Sequence, residues 1–345
     1  MEEKTLSLET EDKERKKKKA VRAAVSFVVM AALLLILFFA AVNIGSLKIG
    51  FGELFRGLFI EYDDNVATIF DLRFPRIIIS MLAGAAIAVS GVLFQAVLKN
   101  PLADPGIIGI SSGASFAAVV ITAIAPSLFF VTPVFAFLGG VLAFALVYTL
   151  SWKGGLSPLR IILVGVAVNA MFQGLSSALN SMNGGNMSGV AAIVNGNITM
   201  KTWDDVRMLV PYVVIGLVLA MIFSKTCNLL SLEDKAARSL GIDVNKMRII
   251  ISLIAVLLAS ISTAVAGVIS FLGLIVPHIG RILVGSNHKA LVPFSALFGA
   301  FTFLLADTVG RTIAAPYEVP ASIIMSVVGG PLFIILLRRS DRYGK

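Results

Sequence analysis

The segment Arg73–Ala114 constrains the fold more than any other part of the chain. It consists of two apolar stretches joined by the turn Asn100-Pro101-Leu102-Ala103-Asp104-Pro105. Because proline cannot continue a regular helix, this turn predicts a helical hairpin with a sharp connection. Small residues recur at helical spacing on both sides, and this allows membrane helices to approach closely. These residues are Gly84, Ala88, Gly91, Gly109 and Gly113.

The low share of charged residues places most of the chain in lipid. Charged residues make up 14% and hydrophobic residues 57%, whereas a soluble domain carries roughly 25% charged residues. We therefore predict an all-α polytopic membrane protein with ten spans, each about 20 residues long. The predicted spans lie near residues 22–43, 72–98, 106–124, 131–151, 159–182, 206–226, 247–265, 267–285, 291–311 and 319–338.

The positive charge follows a topology rule, so the net charge of +9 is no sign of nucleic-acid binding. An even number of spans puts both termini on one side of the membrane. That side receives 22 of the 29 Lys and Arg residues, which predicts that it is cytoplasmic. We divide the chain into a basic tail at 1–21, a single transmembrane domain at 22–338 and a cytoplasmic end at 339–345.

Several kinds of chemistry are excluded by residue content. One cysteine permits no internal disulfide, and two histidines are too few for a histidine-rich metal site. The sequence has no P-loop, so ATP-driven transport would need a separate ATPase. We find no clustered nucleophiles or carboxylates, and hence predict no enzyme activity and no metal site.

Segment 267–285 is the least regular of the predicted spans. It is short and carries Pro277, His278 and Arg281, which predicts a broken or kinked helix. We interpret His278 as a packing residue and not as a ligand. Ala266–Ile269 weakly repeats Ser90–Leu93 at an offset of five spans, the arrangement of an inverted repeat.

In combination, these motifs resemble the FecCD-type permease subunits of ABC importers for iron siderophores, haem and vitamin B12. One departure is Asn287-His288-Lys289, where the family usually has Asp-His-Arg. The motif positions that we interpret as structural are Gln95, Asn100, Pro101, Pro105, Pro277, His278 and Asp307. Further matches are Arg73-x-Pro75-Arg76, Gly109 to Ala114, Ala266-Gly267, Phe271-x-Gly273-Leu274, Arg281, Arg311, Glu318-x-Pro320 and Gly329-Gly330-Pro331.

The resemblance implies a ten-helix permease, like the vitamin B12 permease, in a bacterial cell membrane with both termini cytoplasmic. It implies a second permease subunit, identical or not, and two cytoplasmic ATPases that hold the ATP and magnesium. An external binding protein or lipoprotein would deliver a ferric siderophore, with haem and cobalamin as open alternatives. No cofactor is expected on this chain, and its other contact is membrane lipid.

Arg73, Arg76 and Arg311 are candidate docking residues on the outer side. From the residues alone, they either attract an acidic partner or pair with Asp71 or Asp307; the resemblance implies docking. Asp307 and Arg311 stand four residues apart, which favours an ion pair on one helix face. A proton relay through Asp307, as in a secondary transporter, is the alternative.

The loop 227–246 is the candidate coupling segment. Ser231 with Asp234 predicts a capping box, and Gly241 predicts a helix end. From the residues alone, this loop is either a solvated connector or a surface for a partner protein. The resemblance implies that it contacts the ATPase, through Glu233, Ala236, Arg238, Ser239, Leu240, Gly241 and Asp243.

The fifth span carries a polar stripe. Its members fall at i, i+4, i+7 and i+11, on one helix face, and either bond to neighbouring helices or line a pathway. The resemblance implies a translocation path formed by Asn169, Gln173, Ser176 and Asn180. The following loop, 183–205, suits an outer gate.

Overall fold

The computed structural model describes residues 2–44, 49–151, 158–182 and 196–340. Over these ranges the regular elements are helices, with one 3-10 helix at Pro126–Val131 before α6. We number the α helices in chain order. They are α1 Glu2–Asn43, α2 Phe51–Phe59, α3 Asp64–Leu72, α4 Phe74–Val97, α5 Ile110–Ile124, α6 Thr132–Ser151, α7 Pro158–Met182, α8 Trp203–Ile222, α9 Ser224–Leu230, α10 Asp234–Ser239, α11 Val244–Ala266, α12 Leu272–Val284, α13 His288–Thr312 and α14 Ala321–Ser340.

Helix α4 lies at the centre of the helix bundle. It packs against α13, α11, α12 and α8, and nearly all of its residues are buried. A Cβ atom added to Gly84 would lie 2.3 Å from the carbonyl oxygen of Gly299, and one added to Gly91 would lie 2.0 Å from that of Gly273. The predicted role of the small residues is thus confirmed, because these helices meet backbone to backbone.

The ten predicted spans match seven long apolar helices and three shorter ones within the described residues. The shorter ones are Ile110–Ile124, Leu272–Val284 and Ala321–Ile335. Several boundaries differ from the prediction. Helix α1 begins at Glu2 and not near residue 22, and α8, the sixth span, ends at Ile222, with a separate helix α9 after it. The second span is preceded by a separate helix, α3, and the third begins at Ile110 because residues 98–109 form turns.

The predicted break in segment 267–285 exists, but it lies before the helix and not at Pro277. Helix α11 ends at Ala266, and Gly267 and Phe271 have positive φ angles of 75° and 65°. Helix α12 then runs through Pro277, and its 13 residues cover only about 20 Å. Since Ser90–Leu93 stays inside α4, the four-residue echo does not adopt the same local conformation.

The turn after α4 is held by side chains of the predicted structural motif. Gln95 Nε2 donates to the carbonyl oxygen of Gly273 at 3.2 Å, and Asn100 Oδ1 accepts from Leu102 N at 2.9 Å. Fully buried Asp104 accepts through Oδ1 from Gly106 N at 2.8 Å. Pro105 also lies beside Gly273, so the turn is fixed against α12.

Helix α4 defines two ends of the bundle. We call the end with Arg73 the arginine end and the end with Lys99 the lysine end. Helix α1 reaches the arginine end, where Arg73 donates to the carbonyl oxygen of Val42. At the lysine end, Arg22 donates to the carbonyl oxygen of Ile282 at 2.6 Å.

Candidate functional site

A cavity of about 290 Å³ opens at the arginine end. It brings together the three arginines that the sequence singled out, two from the start of α4 and one from the end of α13. The described residues that line it are Ile44, Leu72, Arg73, Arg76, Thr199, Arg311 and Glu318. We call this cavity the arginine pocket.

Arg76 is held by a buried carboxylate. Its Nε atom lies 3.0 Å from Asp307 Oδ1 and its Nη2 atom lies 2.8 Å from the same oxygen. The Asp307 side chain is fully buried, and that of Arg76 is 7% exposed. Charge-assisted paired bonds of this kind fix the orientation of the guanidinium.

Arg311 shares the same carboxylate. Its Nε atom lies 3.3 Å from Asp307 Oδ2, and its Nη1 atom lies 3.4 Å from the carbonyl oxygen of Ala41. The Nη2 atom is buried without a hydrogen-bond partner among the described residues. The predicted pairing of Asp307 with Arg311 is therefore present, and Asp307 binds Arg76 as well.

Glu318 and Thr199 complete the arginine pocket, and neither was predicted to act there. Arg76 Nη1 lies 2.7 Å from Glu318 Oε2, and Thr199 Oγ1 donates to the same oxygen at 2.9 Å. Burial raises the pKa of Glu318, but the hydrogen bonds and charge of Arg76 outweigh it, and the pKa falls below 4.5. The only sequence signal for Glu318 was its motif with Pro320, which says nothing about its partners.

At the lysine end, α10 is anchored by one acidic residue. Asp234 Oδ1 lies 2.7 Å from Lys99 Nζ and 2.9 Å from Arg248 Nη2. The hydrogen bond from Lys99 lowers the pKa of Asp234, burial opposes this, and the charge of Arg248 lowers the pKa further. Asp234 thus connects α10 to the end of α4 and the start of α11.

The predicted capping box at Ser231 is wrong. Helix α10 begins at Asp234 with Glu233 as its N-cap residue, and the Ser231 hydroxyl instead donates to the carbonyl oxygen of Cys227 at 2.9 Å. Asp234 is therefore too near the helix start to close a box, and it is taken up by Lys99 and Arg248. The predicted helix end at Gly241 is confirmed, with a φ of 81°.

The predicted coupling residues lie on an exposed surface. Only Ala237 of α10 is buried, at 1%, and it faces the bundle. Leu240 is 61% exposed despite its apolar side chain. The exposed residues are Glu233, Ala236, Arg238, Ser239, Leu240, Gly241 and Asp243.

Asn287, the residue at which the sequence departs from the motif, has a structural role. Asn287 is the N-cap residue of α13, and its Oδ1 atom accepts from Lys289 N at 3.1 Å. It also accepts from Asn228 Nδ2 at 2.9 Å, and Asn228 Oδ1 contacts the Nδ1 atom of His288 at 2.8 Å. An asparagine can cap a helix as an aspartate does, so α9 and α13 remain joined.

The polar stripe of α7 does not all point one way. Gln173 is exposed and donates to Asn169 Oδ1 at 3.3 Å. Ser176 is buried and donates to the carbonyl oxygen of Phe172 on its own helix at 2.9 Å. Asn180 is half-buried, and residues 183–195 of the predicted gate lie outside the described residues.

His278 is half-buried on α12, next to buried Pro277. Among the described residues, no group of three or more His, Cys, Asp or Glu side chains is placed to hold a metal ion. The packing interpretation of His278 stays a prediction.

Comparisons with known proteins agree with this architecture. Residues 33–339 match the model of the FecCD transport family. The Staphylococcus aureus protein named "Probable heme-iron transport system permease protein IsdF" (strain bovine RF122 / ET3-1) is 41% identical over 298 residues, which are 86% of this chain and 90% of that protein. Its counterpart in strain MSSA476 is 40% identical over the same length.

Two solved structures share the fold. An inward-facing metal-chelate type ABC transporter is 29% identical, with a TM-score of 0.78 over 92% of this chain and 99% of that chain. PsaBC from Streptococcus pneumoniae, in complex with Fab, is 17% identical, with a TM-score of 0.57 over 83% and 95% of the two chains; this likeness concerns the fold alone. With the family match over 33–339 and 41% identity across most of its length, the chain belongs to the FecCD transport family.

Proposed function

We propose that this chain is the transmembrane permease of an ABC importer that carries an iron chelate into a bacterial cell. The observation that carries the proposal is the exposed surface of α10 at the lysine end, held in place by Asp234. Leu240 is exposed beside charged residues, and a short amphipathic segment of this kind suits the groove of a partner protein. The partner is a separate ATPase that binds the ATP and magnesium, since the chain has no P-loop.

The orientation follows from the two ends. The lysine end is cytoplasmic, together with both termini, because most Lys and Arg residues belong to it. The arginine end faces outwards and receives acidic side chains of an external binding protein. Three arginines line the arginine pocket, and their positive charge suits an acidic partner.

The translocation path of the cargo runs along the polar face of α7, and a second permease subunit forms its other side. Most of the α7 surface is exposed in a single subunit, with 28% of its most apolar window buried. A polar face such as that of Gln173 is unfavourable against lipid. It therefore lies against water or a second copy of the subunit.

Haem is the cargo that the relatives support best, because the named function of the 41% identical proteins is heme-iron transport. Ferric siderophore, expected from the motifs, is the second candidate. Few residues of the path carry charge, so selection between chelates belongs mainly to the external binding protein.

The test is uptake in cells that lack this chain, with the chain returned as wild type or as a variant. Labelled haem, ferric hydroxamate and catecholate siderophores, and labelled cobalamin form the panel. We expect loss of haem-iron uptake, and its return with the wild-type chain. Uptake that stays normal for every cargo contradicts the proposal, and uptake abolished by an uncoupler while ATP is maintained favours a proton-coupled carrier.

The docking assignment is tested with Arg73→Glu, because Arg76 and Arg311 are bound up in the buried Asp307 pair and their replacement would disturb the fold. Arg56→Glu, an exposed arginine of α2 outside the pocket, is the matched control. We expect Arg73→Glu to weaken binding of the external protein at least tenfold and the control to change it little. Equal effects of the two variants would remove the pocket from the docking surface.

A further inference from the structure

Glu318 differs from the other carboxylate of the arginine pocket in its access to solvent. The Glu318 side chain is 37% exposed, whereas that of Asp307 is fully buried. Both bind Arg76, Asp307 on the inner edge of the guanidinium and Glu318 at Nη1. A partner carboxylate that enters the pocket therefore reaches Glu318 first.

A single oxygen of Glu318 connects two parts of the chain. Oε2 accepts from Arg76 Nη1 at 2.7 Å and from Thr199 Oγ1 at 2.9 Å. Thr199 lies in the segment 196–202, which leads into α8. A change in the position of Glu318 thus acts directly on that segment.

The segment 196–202 is otherwise packed against α14 and within itself. Ile198 is 2% exposed, and a Cβ atom on Gly196 would lie 2.7 Å from Ser322 Oγ. Asn197 Oδ1 accepts from Thr199 N at 2.9 Å, while neighbouring Met200 is 89% exposed. The Thr199–Glu318 bond is the contact through which the arginine pocket holds this segment.

The pocket can accept a further carboxylate. Three guanidinium groups line it, those of Arg73, Arg76 and Arg311. The Nη2 atom of Arg311 has no hydrogen-bond partner among the described residues, and the Arg311 side chain is 7% exposed. A carboxylate between Arg311 and Arg76 would bind this nitrogen and compete with Glu318 for Arg76 Nη1.

We propose that Glu318 is an exchangeable carboxylate, which a carboxylate of the external binding protein replaces on Arg76, and that this exchange releases Thr199 and the segment leading into α8. The inference rests on the proposed function, because the partner is the external binding protein. Exchange of one carboxylate for another preserves the charge around Arg76. Its cost is the hydrogen bond from the Thr199 hydroxyl to the Glu318 carboxylate, and the buried pair of Arg76 with Asp307 stays intact.

The first measurement is the affinity of the external binding protein for the purified transporter at several salt concentrations. Glu318→Gln keeps the size of the side chain but removes the competing charge. We expect roughly fivefold tighter docking and a steeper dependence on salt. Glu61→Gln, an exposed acidic residue at the same end but outside the pocket, should change the affinity less than twofold (a rough bound for a distant surface charge).

The second measurement follows the released segment. A nitroxide label on Met200→Cys, in a Cys227→Ser background, reports its mobility by electron paramagnetic resonance. We expect mobility to rise when the binding protein is added. With Thr199→Val, which leaves all charges in place, the label should be mobile before the binding protein is added. Docking should be tighter than in the wild type, because the hydrogen bond that opposes the exchange is already absent.

The outcomes separate the two proposals. Docking that Arg73→Glu weakens but Glu318→Gln leaves unchanged or weakens would overturn the exchange and leave the proposed function standing. The exchange would also be overturned if the mobility of the label changed neither on docking nor in Thr199→Val. Failure of the wild-type transporter to bind any external protein would overturn both.

Discussion

Helices α4 and α7 have nearly the same length, 24 and 25 residues, and both mix glycines and polar residues into an apolar sequence. Their surroundings are opposite, because 83% of the most apolar α4 window is buried but only 28% of that of α7. In α4, Ser90 donates to the carbonyl oxygen of Ala255 at 2.7 Å. In α7, Gln173 reaches only its neighbour Asn169 among the described residues. The same residue types therefore join helices in α4 and form an open face in α7.

The largest effect should come from removing the counter-charge of Arg76, the buried charge of α4. Asp307→Asn leaves Arg76 and Arg311 buried with one carboxylate fewer, and we expect a loss of about 3–5 kcal/mol in the free energy of unfolding. Unfolding of the purified protein in detergent measures it.

The control for Asp307→Asn is an ion pair of the same type on the surface. Asp204 lies 3.2 Å from Arg207, with side chains 58% and 76% exposed. Asp204→Asn should leave stability almost unchanged. Equal stability of the two variants would mean that burial does not determine how much these ion pairs contribute to the free energy of unfolding.

Matched glycines provide the next comparison. In Gly91→Ala the new Cβ atom would lie 2.0 Å from the carbonyl oxygen of Gly273, so α4 and α12 must move apart, at a cost of roughly 1–3 kcal/mol. In α7, Gly174 has no atom within 4 Å of the added Cβ. Gly174→Ala should stabilise the helix by up to about 1 kcal/mol. Thermal unfolding of both variants measures these changes in stability, which should have opposite signs. Changes of the same sign would contradict the close packing of α4.

The lysine end of α4 should show a smaller effect on stability and a clear effect on the ATPase. The pKa of Asp234 is lowered, so its carboxylate is ionised at neutral pH and stabilises the position of α10 through Lys99 and Arg248. This stabilisation is lost only as the pH falls through that lowered pKa, below 3.8. We expect ATPase binding to stay constant between pH 8 and 5, and Asp234→Asn to weaken it at every pH. The cost in stability should stay within about 1 kcal/mol, since the pair is partly exposed.

Asp204→Asn, at the opposite end, is the control for this measurement. It removes the same charge from the chain but should leave ATPase binding unchanged. Binding in the wild type that weakens between pH 8 and 5 would show that another group sets the pH dependence of the contact.

The smallest effect on stability should occur on α7. Gln173→Leu replaces an exposed polar side chain and should change stability by less than about 0.5 kcal/mol, yet reduce uptake if this face lines the path. Ser176→Ala, on the same predicted stripe, removes a hydroxyl that is buried against its own helix. Ser176→Ala should leave uptake intact. Uptake that is reduced by Ser176→Ala but not by Gln173→Leu would assign the path to the other side of α7.

Local patterns in the sequence were enough to locate the membrane spans, although not the short helices α2, α3 and α9. Hydropathy located the spans, prolines and small residues located the turn after α4, and Gly241 marked the end of α10. Each of these features depends on neighbours within a few residues, which is why a single sequence contains them. The capping box at Ser231 was wrong because Asp234 pairs instead with Lys99, 135 residues away in sequence, and with Arg248, 14 residues away.

The spacing predicted the Asp307–Arg311 pair within α13, but only the tertiary structure decided which side chains meet between helices. Arg76 lies 242 residues from Glu318 and 231 from Asp307, and no periodicity relates such positions. The same holds for α7, where the spacing put Ser176 and Gln173 on one face but the packing buried one of them and exposed the other. A sequence thus determines that a span is helical and which residues it carries, while the helices packed around it determine which of these residues become partners and which remain open.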